Sequence, residues 1–287
     1  MLDIQYDHPV ATWLDPETGD VQDHAAVMTE AANAQSVLLG ETHDQYDIHR
    51  WQLAIIAGIR GRRDKVMVGF EMFPKSAQPV LDEWIEGGLS HDEFLDKVKW
   101  RDVWGFDPAL YMPIFNYCRE MGIPMLALNC YRALVTRVGK EGWDAIPEEE
   151  RDGLTPSKEA LPEYKKYLFG MVAGPESIFL KEGEEADARR ARFIRAQQTW
   201  DRAFACNISY ALRENPDHLV VGIIGRGHLE YGFGTPYQLD DLGVTKNITL
   251  LPGKEAKLEA KAIKGIAKAI YRLPTSFEAA PERENMP

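Results

Sequence analysis

Val37-Leu38-Leu39-Gly40-Glu41-Thr42-His43 is an apolar run closed by a glycine, with a histidine three positions beyond it. The same order recurs far along the chain in Leu219-Val220-Val221-Gly222-Ile223-Ile224-Gly225-Arg226-Gly227-His228. A short apolar run with no polar face reads as a strand buried on both sides, as strands of parallel sheets are. A glycine behind such a strand lets the backbone turn sharply and come close to a ligand. Two copies of this order predict two strands whose carboxyl ends share one edge of one sheet. In open parallel sheets, ligands bind at that edge.

Working outward, Ser36–Gly40 and His218–Ile224 are joined by three more apolar runs, Lys65–Glu71, Pro124–Leu128 and Ile248–Leu251. Helical patterns lie between them. Asp47–Arg60 carries Ile48, Trp51, Ile55 and Ile59 at helical spacing, and Ala77–Glu86 and Ala109–Met121 also fit. The alternation predicts an α/β fold of three layers, a mostly parallel central sheet flanked by helices. Two stretches exceed a minimal strand–helix repeat, residues 76–104 and 132–213. The second contains Glu184–Arg213, with Phe193, Ile194, Gln197, Trp200 and Phe204 along one stripe. Both are expected to be helical insertions that form a cap over one end of the sheet, within a single domain over residues 1–273. The competing arrangement is a distinct helical subdomain. Glu255–Tyr271, rich in Lys and Ala, is expected to be a helix with a solvated face, and residues 274–287 a mobile tail.

Composition bounds the function. The chain has 287 residues, 45% hydrophobic and 27% charged, which is ordinary for a globular protein. A net charge of −12 speaks against a nucleic-acid partner and against general attraction to anionic lipid. No apolar run approaches the roughly 18 residues of a membrane span. Met1-Leu2-Asp3-Ile4-Gln5 shows no leader, so the expected location is cytoplasmic; a leader removed upstream would make it periplasmic or membrane-attached. Cys118, Cys130 and Cys206 are odd in number and match no metal or redox spacing. They are expected to be buried free thiols.

The strand ends carry the chemistry. The first is followed by Glu41-Thr42-His43-Asp44, the second ends in Glu71, the third runs into Asn129-Cys130-Tyr131-Arg132 and the fourth into Arg226-Gly227-His228. His43 and His228 suit metal binding or proton transfer near neutral pH. Glu41 and Glu71 suit orienting an imidazole, ligating a metal or acting as a base. Arg132 and Arg226 suit bidentate binding of a carboxylate or phosphate. His49 opens the first helix, where the positive helix end favours its neutral form, as a ligand or as a cap. The competing structural reading has these side chains capping helices and pairing with one another. His8, His24, His91 and His218 lack this context and are expected at the surface. Trp84, Trp100, Trp104, Phe106 and Tyr111 are either core or a flat apolar wall for a ligand.

In Val37–Arg50, Val68–Phe73, Gln197–Ala205 and Gly222–Leu229 the chain resembles the ChaN-like family, within the wider Tiki and erythromycin-esterase-like superfamily. Two Gly-x-x-His motifs with a Glu after the intervening strand mark the superfamily. The long helix with Gln198, Trp200 and Asp201 points to the ChaN-like branch. The resemblance implies a three-layer α/β fold with a helical cap, haem binding and a place in haem or iron handling. It also implies a tyrosine ligand to the iron and a homodimer that brings two haems face to face. No motif carries the tyrosine over; Tyr46, Tyr111, Tyr131, Tyr231 and Tyr237 are the candidates. The chain departs from many relatives in having Ile48-His49 where they have adjacent histidines, and in showing no lipoprotein leader.

The leading expectation is therefore a haem-binding protein whose ligand lies among His43, His49, Tyr46, Tyr131, Arg132, Arg226, His228 and Tyr231. The alternative implied by Tiki-like and esterase relatives is a metal-dependent hydrolase acting on an ester, lactone or peptide. His43, His228 and Glu71 would hold zinc, manganese or cobalt there, with Glu41 or Glu71 taking a proton from water. The third reading is a non-catalytic member that serves as a binding protein.

Overall fold

The computed structural model describes residues 4–172 and 183–274. Its strands are β1 (Gln5–Asp7), β2 (Trp13–Leu14), β3 (Val21–Gln22), β4 (Ser36–Glu41), β5 (Val66–Pro74), β6 (Met125–Asn129), β7 (Leu219–Gly225), β8 (Asn247–Gly253), β9 (Lys257–Glu259) and β10 (Ala269–Arg272). Its helices are α1 (His24–Ala32), α2 (Tyr46–Arg60), α3 (Gln78–Ile85), α4 (His91–Lys97), α5 (Trp100–Val103), α6 (Met112–Glu120), α7 (Arg132–Glu141), α8 (Pro162–Val172), α9 (Glu184–Glu214), α10 (Thr235–Asp241) and α11 (Ala260–Ile263).

Eight strands form one sheet in the order β3-β2-β10-β8-β4-β7-β5-β6. From β10 to β6 every pairing is parallel. β2 and β3 add an antiparallel margin, and β1 pairs separately with β9. Side chains of the central strands alternate between two cores, as the period of two requires. Val37, Leu39, Val68, Phe70, Val221 and Ile223 pack with residues of α1, α2, α3 and α6. Leu38, Met67, Leu128, Val220 and Ile224 pack with residues of α9 and α10. The fold is thus α/β, with a mostly parallel sheet between two helical layers.

The chain order places the site. After β4 the chain enters α2, which covers one face. After β7, the hydrogen-bonded neighbour of β4, it runs to α10 on the opposite face. Connections that diverge from adjacent parallel strands leave a crevice at their carboxyl ends. In the register Glu41 lies opposite Gly225, so both histidine motifs begin at that crevice.

All five apolar runs form strands, close to their expected limits. Other expectations need correcting. Glu255–Tyr271 is not one helix. Lys257–Glu259 pairs with Gln5–Asp7, Ala260–Ile263 makes a single turn, Gly265 adopts φ +74°, and Ala269–Arg272 joins the sheet beside β8. An open sheet margin with unpaired backbone groups outweighs helix propensity in so short a segment. The helix expected over Ala109–Met121 starts later, with a 3-10 turn at Pro108–Leu110 before α6, because Pro113 has no N–H to give and fits the first helical turn. His8 is buried, not at the surface: its Nε2 meets the Thr12 carbonyl at 3.1 Å, and Arg272 donates to its own carbonyl at 2.7 Å. His24 and His91 are exposed and His218 half-buried. Cys118, Cys130 and Cys206 are free and buried. The tail expected over residues 274–287 lies beyond the described residues after Pro274. Among the described residues no helix is long and apolar enough to cross a membrane.

Candidate functional site

A cavity of about 500 Å³ opens at the carboxyl ends of β4, β5, β6 and β7, a size typical of small-ligand sites. Its polar lining includes His43, Glu71, Ser76, Asp102, Asn129 and His228; Trp104 and Phe106 form an aromatic wall; Tyr131 and Arg132, where β6 turns into α7, line it as well. Trp200 and Phe204 reach it from α9. Residues from both helix-rich stretches therefore enclose the strand ends.

His43 is held from behind. Glu41, fully buried at the end of β4, accepts from His43 Nδ1 at 2.7 Å, from the Tyr111 hydroxyl at 2.8 Å and from Gln52 Nε2 at 3.3 Å. A carboxylate only accepts, so the imidazole proton sits on Nδ1. The ring lies edge-on to Trp104, centroids 4.6 Å apart, and 5.3 Å from Phe106. Burial opposes a charge on His43, but its hydrogen bond to Glu41 and the fields of Glu71 and Glu41 outweigh it and raise the pKa.

His228 is held in the same way. Asp201 of α9 accepts from His228 Nδ1 at 2.8 Å, from the Tyr164 hydroxyl at 2.7 Å and from Thr235 at 3.2 Å. Burial again opposes charging, and the charge and hydrogen bond of Asp201, with Glu71 adding to them, raise the pKa. Glu71 accepts a hydrogen bond from the Gly225 N–H, while Asn129 donates to the Glu71 carbonyl at 2.7 Å. Burial pushes the Glu71 carboxyl up, against the pull of His228 and His43. Gly225 permits this closeness: a Cβ there would stand 3.0 Å from His43 Cε1 and 3.3 Å from Glu71 Oε2.

These three shifts make stability depend on pH in one sense. A raised carboxyl favours the proton in the folded state, so Glu71 costs stability as pH rises above its ordinary 4.5 and through its folded pKa. Raised histidines contribute fully below 6.5, and that contribution is lost as pH rises through the folded pKa. Urea unfolding is expected to show lower stability at about pH 8 than at about pH 6, and Glu71→Gln to lessen that loss at the higher pH. A Glu71→Gln profile parallel to that of the parent protein at every pH would contradict this account.

The remaining expected site residues fall elsewhere. His49 is buried behind the lining, with Nδ1 against Gln52 Oε1 at 3.0 Å and Nε2 against the His43 carbonyl at 3.0 Å; both ring nitrogens are engaged. Tyr46 is exposed, its ring 4.0 Å from the Arg50 guanidinium. Tyr231 donates to the Ala262 carbonyl at 2.7 Å. Arg226 is paired through Nε with the buried Glu230, which also receives the Tyr167 hydroxyl. Tyr237 lies 4.3 Å from Lys158 Nζ. Tyr131 alone among the five candidate tyrosines lines the cavity, and it is 40% exposed. Burial and the neighbouring Asp152 raise its phenol. The aromatic residues divide: Trp84, Trp100 and Tyr111 are core, while Trp104 and Phe106 face the cavity. Cys130 also lines it, its thiol pushed up to about 12 by burial and hence protonated. His43, Glu71 and His228 share one cavity, yet among the described residues no three His, Cys, Asp or Glu side chains are gathered closely enough to hold a metal ion.

Strand-end reasoning missed Asp201 and Tyr164. The available signal was an acid inside an apolar stripe, between Trp200 and Phe204. Such an acid needs a buried partner.

The sequence matches the protein family described as haem-binding uptake, Tiki superfamily, ChaN, over residues 27–239. Among curated proteins no sequence matches. Among solved structures, the chain is similar to ChaN of Campylobacter jejuni, described by its cofacial haem binding, with 20% identity over 90% of this chain and 95% of that one, TM-score 0.68. It is similar to an erythromycin esterase, EreC, in an open conformation, with 14% identity over 84% of this chain and 76% of that one, TM-score 0.49. It is also similar to the type III effector HopBA1, with 10% identity over 86% of this chain and 91% of that one, TM-score 0.47.

Proposed function

The chain belongs to the ChaN family of haem-binding uptake proteins in the Tiki superfamily, and from that premise we propose that it binds haem in the cavity at the strand ends, as part of haem or iron handling. The observation that carries the reading is Tyr131: a partly exposed phenol on the strand-end cavity, which joins an aromatic wall to polar groups. Bound haem supplies a ferric iron, for which a phenolate is a suitable ligand. Trp104 and Phe106 offer a flat apolar surface to the macrocycle. Arg132, exposed at the start of α7, suits a propionate. His43 and His228 turn their second ring nitrogens to the same space. Tyr131 and Met171, 40% and 55% exposed, provide apolar surface for a second copy, with Met171 lying against Gly227 beside His228.

Hemin titration tests the proposal. A saturable Soret band is expected, weakened about 10-fold in affinity by Trp104→Ala, which removes part of the wall. Absorbance no different from that of hemin with an unrelated control protein would remove the proposal.

One observation favours hydrolysis as a second reading: Glu71 is buried beside two imidazoles, with its pKa raised toward that of a general base. Turnover of an activated ester, lost in Glu71→Gln, is its requirement.

A further inference from the structure

We infer that Asp201 is the positioning residue of the cavity, holding neutral His228 with its proton on Nδ1 and its Nε2 bare toward the ligand space. Four observations carry this. Asp201 is fully buried and accepts from His228 Nδ1 at 2.8 Å. Its other oxygen receives the Tyr164 hydroxyl at 2.7 Å, and Thr235 adds a third donor at 3.2 Å. Three donors converging on one carboxylate keep it an acceptor, so the imidazole must be the donor at Nδ1. Finally, Gly234 closes over the group without a side chain: a Cβ there would stand 2.6 Å from Asp201 Oδ1, 2.9 Å from the Tyr164 hydroxyl and 2.4 Å from the His228 carbonyl.

The arrangement repeats one already described. Tyr111, Glu41 and His43 form a tyrosine–carboxylate–imidazole series from one side. Tyr164, Asp201 and His228 form a second from the other. The first carboxylate stands on strand β4 and the second on helix α9. Among the described residues no hydrogen bond ends on Nε2 of either ring. Neutral His43 and His228 therefore present two lone pairs to one cavity, and helix α9 is part of the ligand site as well as part of its cover. Such a pair of nitrogens suits a ligand that accepts electron pairs or donates protons. That the ligand is haem rests on the reading above; the fixed tautomer does not.

Nitrogen-15 NMR of the imidazoles, on the full chain before hemin is added, tests the assignment. At a pH above its raised pKa, where the ring is neutral, His228 is expected to show a protonated Nδ1 and a pyridine-type Nε2. In Asp201→Ala no carboxylate faces Nδ1, so the Nδ1–H form is expected to give way to Nε2–H or to a mixture. Hemin affinity is then expected to fall about 10-fold or more, as removal of a group that orients a ligand does. Tyr164→Phe, which leaves the Asp201–His228 bond in place, should keep the tautomer. An Nε2–H signal from neutral His228 in the parent protein, at that pH, would overturn the inference, even if Asp201→Ala failed to fold. An unchanged tautomer in a folded Asp201→Ala variant would also overturn it. A parent protein with the expected tautomer and no hemin binding would refute the haem proposal alone.

Discussion

Replacing Tyr131 by Phe is expected to weaken hemin binding about 100-fold, close to 2.8 kcal/mol, and to abolish the phenolate-to-iron charge-transfer band. The side chain is 40% exposed and lines the cavity, so its loss leaves little packing to repair. Its hydroxyl is the only part removed, which makes the spectrum a direct reading of ligation. The phenol lies above its ordinary range because of burial and Asp152. Ferric iron must therefore displace a firmly held proton, and binding is expected to tighten as pH rises. Tyr46→Phe and Tyr231→Phe serve as controls: one ring lies beside Arg50, and the other hydroxyl is committed to Ala262. If Tyr131→Phe bound hemin with unchanged affinity and spectrum, the assignment would fall.

Glu41→Ala is expected to cost about 3–5 kcal/mol of folding stability, the range for removing one member of a buried charged group. The carboxylate is fully enclosed and accepts from His43, Tyr111 and Gln52. Truncation orphans those donors, of which Tyr111 and Gln52 are fully buried. Glu41→Gln keeps the volume and one acceptor, and about 1–2 kcal/mol is expected. Urea denaturation of both variants separates the cases. A loss below about 1 kcal/mol for Glu41→Ala would mean that the donors find other partners.

What could be read from the sequence follows from what each feature depends on. The central strands were legible because a strand buried on both faces needs an uninterrupted apolar run, and Ser36–Glu41 and Leu219–Gly225 have one. Trp13–Leu14 and Val21–Gln22 are too short to show any period, and their pairing depends on β10, more than two hundred residues later. Glu255–Tyr271 misled because Leu258, Ala262, Ile266 and Ile270 recur at helical spacing. What decided its form was non-local: β1 on one side and β8 on the other. In the site, His43, Glu71 and His228 were legible because parallel strands deliver their ends to one edge. Asp201 was not, since its approach depends on how α9 is turned about its axis. Choosing Tyr131 from five tyrosines required knowing which of them the folded chain brings to the cavity.

The two motifs are fastened to one another by a backbone ladder, Glu41 opposite Gly225, in the middle of the sheet. Amides in such a place exchange with solvent only when the whole molecule opens. The aromatic wall has no comparable restraint: Trp104 follows the four-residue helix Trp100–Val103, between left-handed Lys99 and Gly105. Breathing of that short segment, on the timescale of loops, would set how fast a ligand enters and leaves. The ladder beneath would set which ligands are retained.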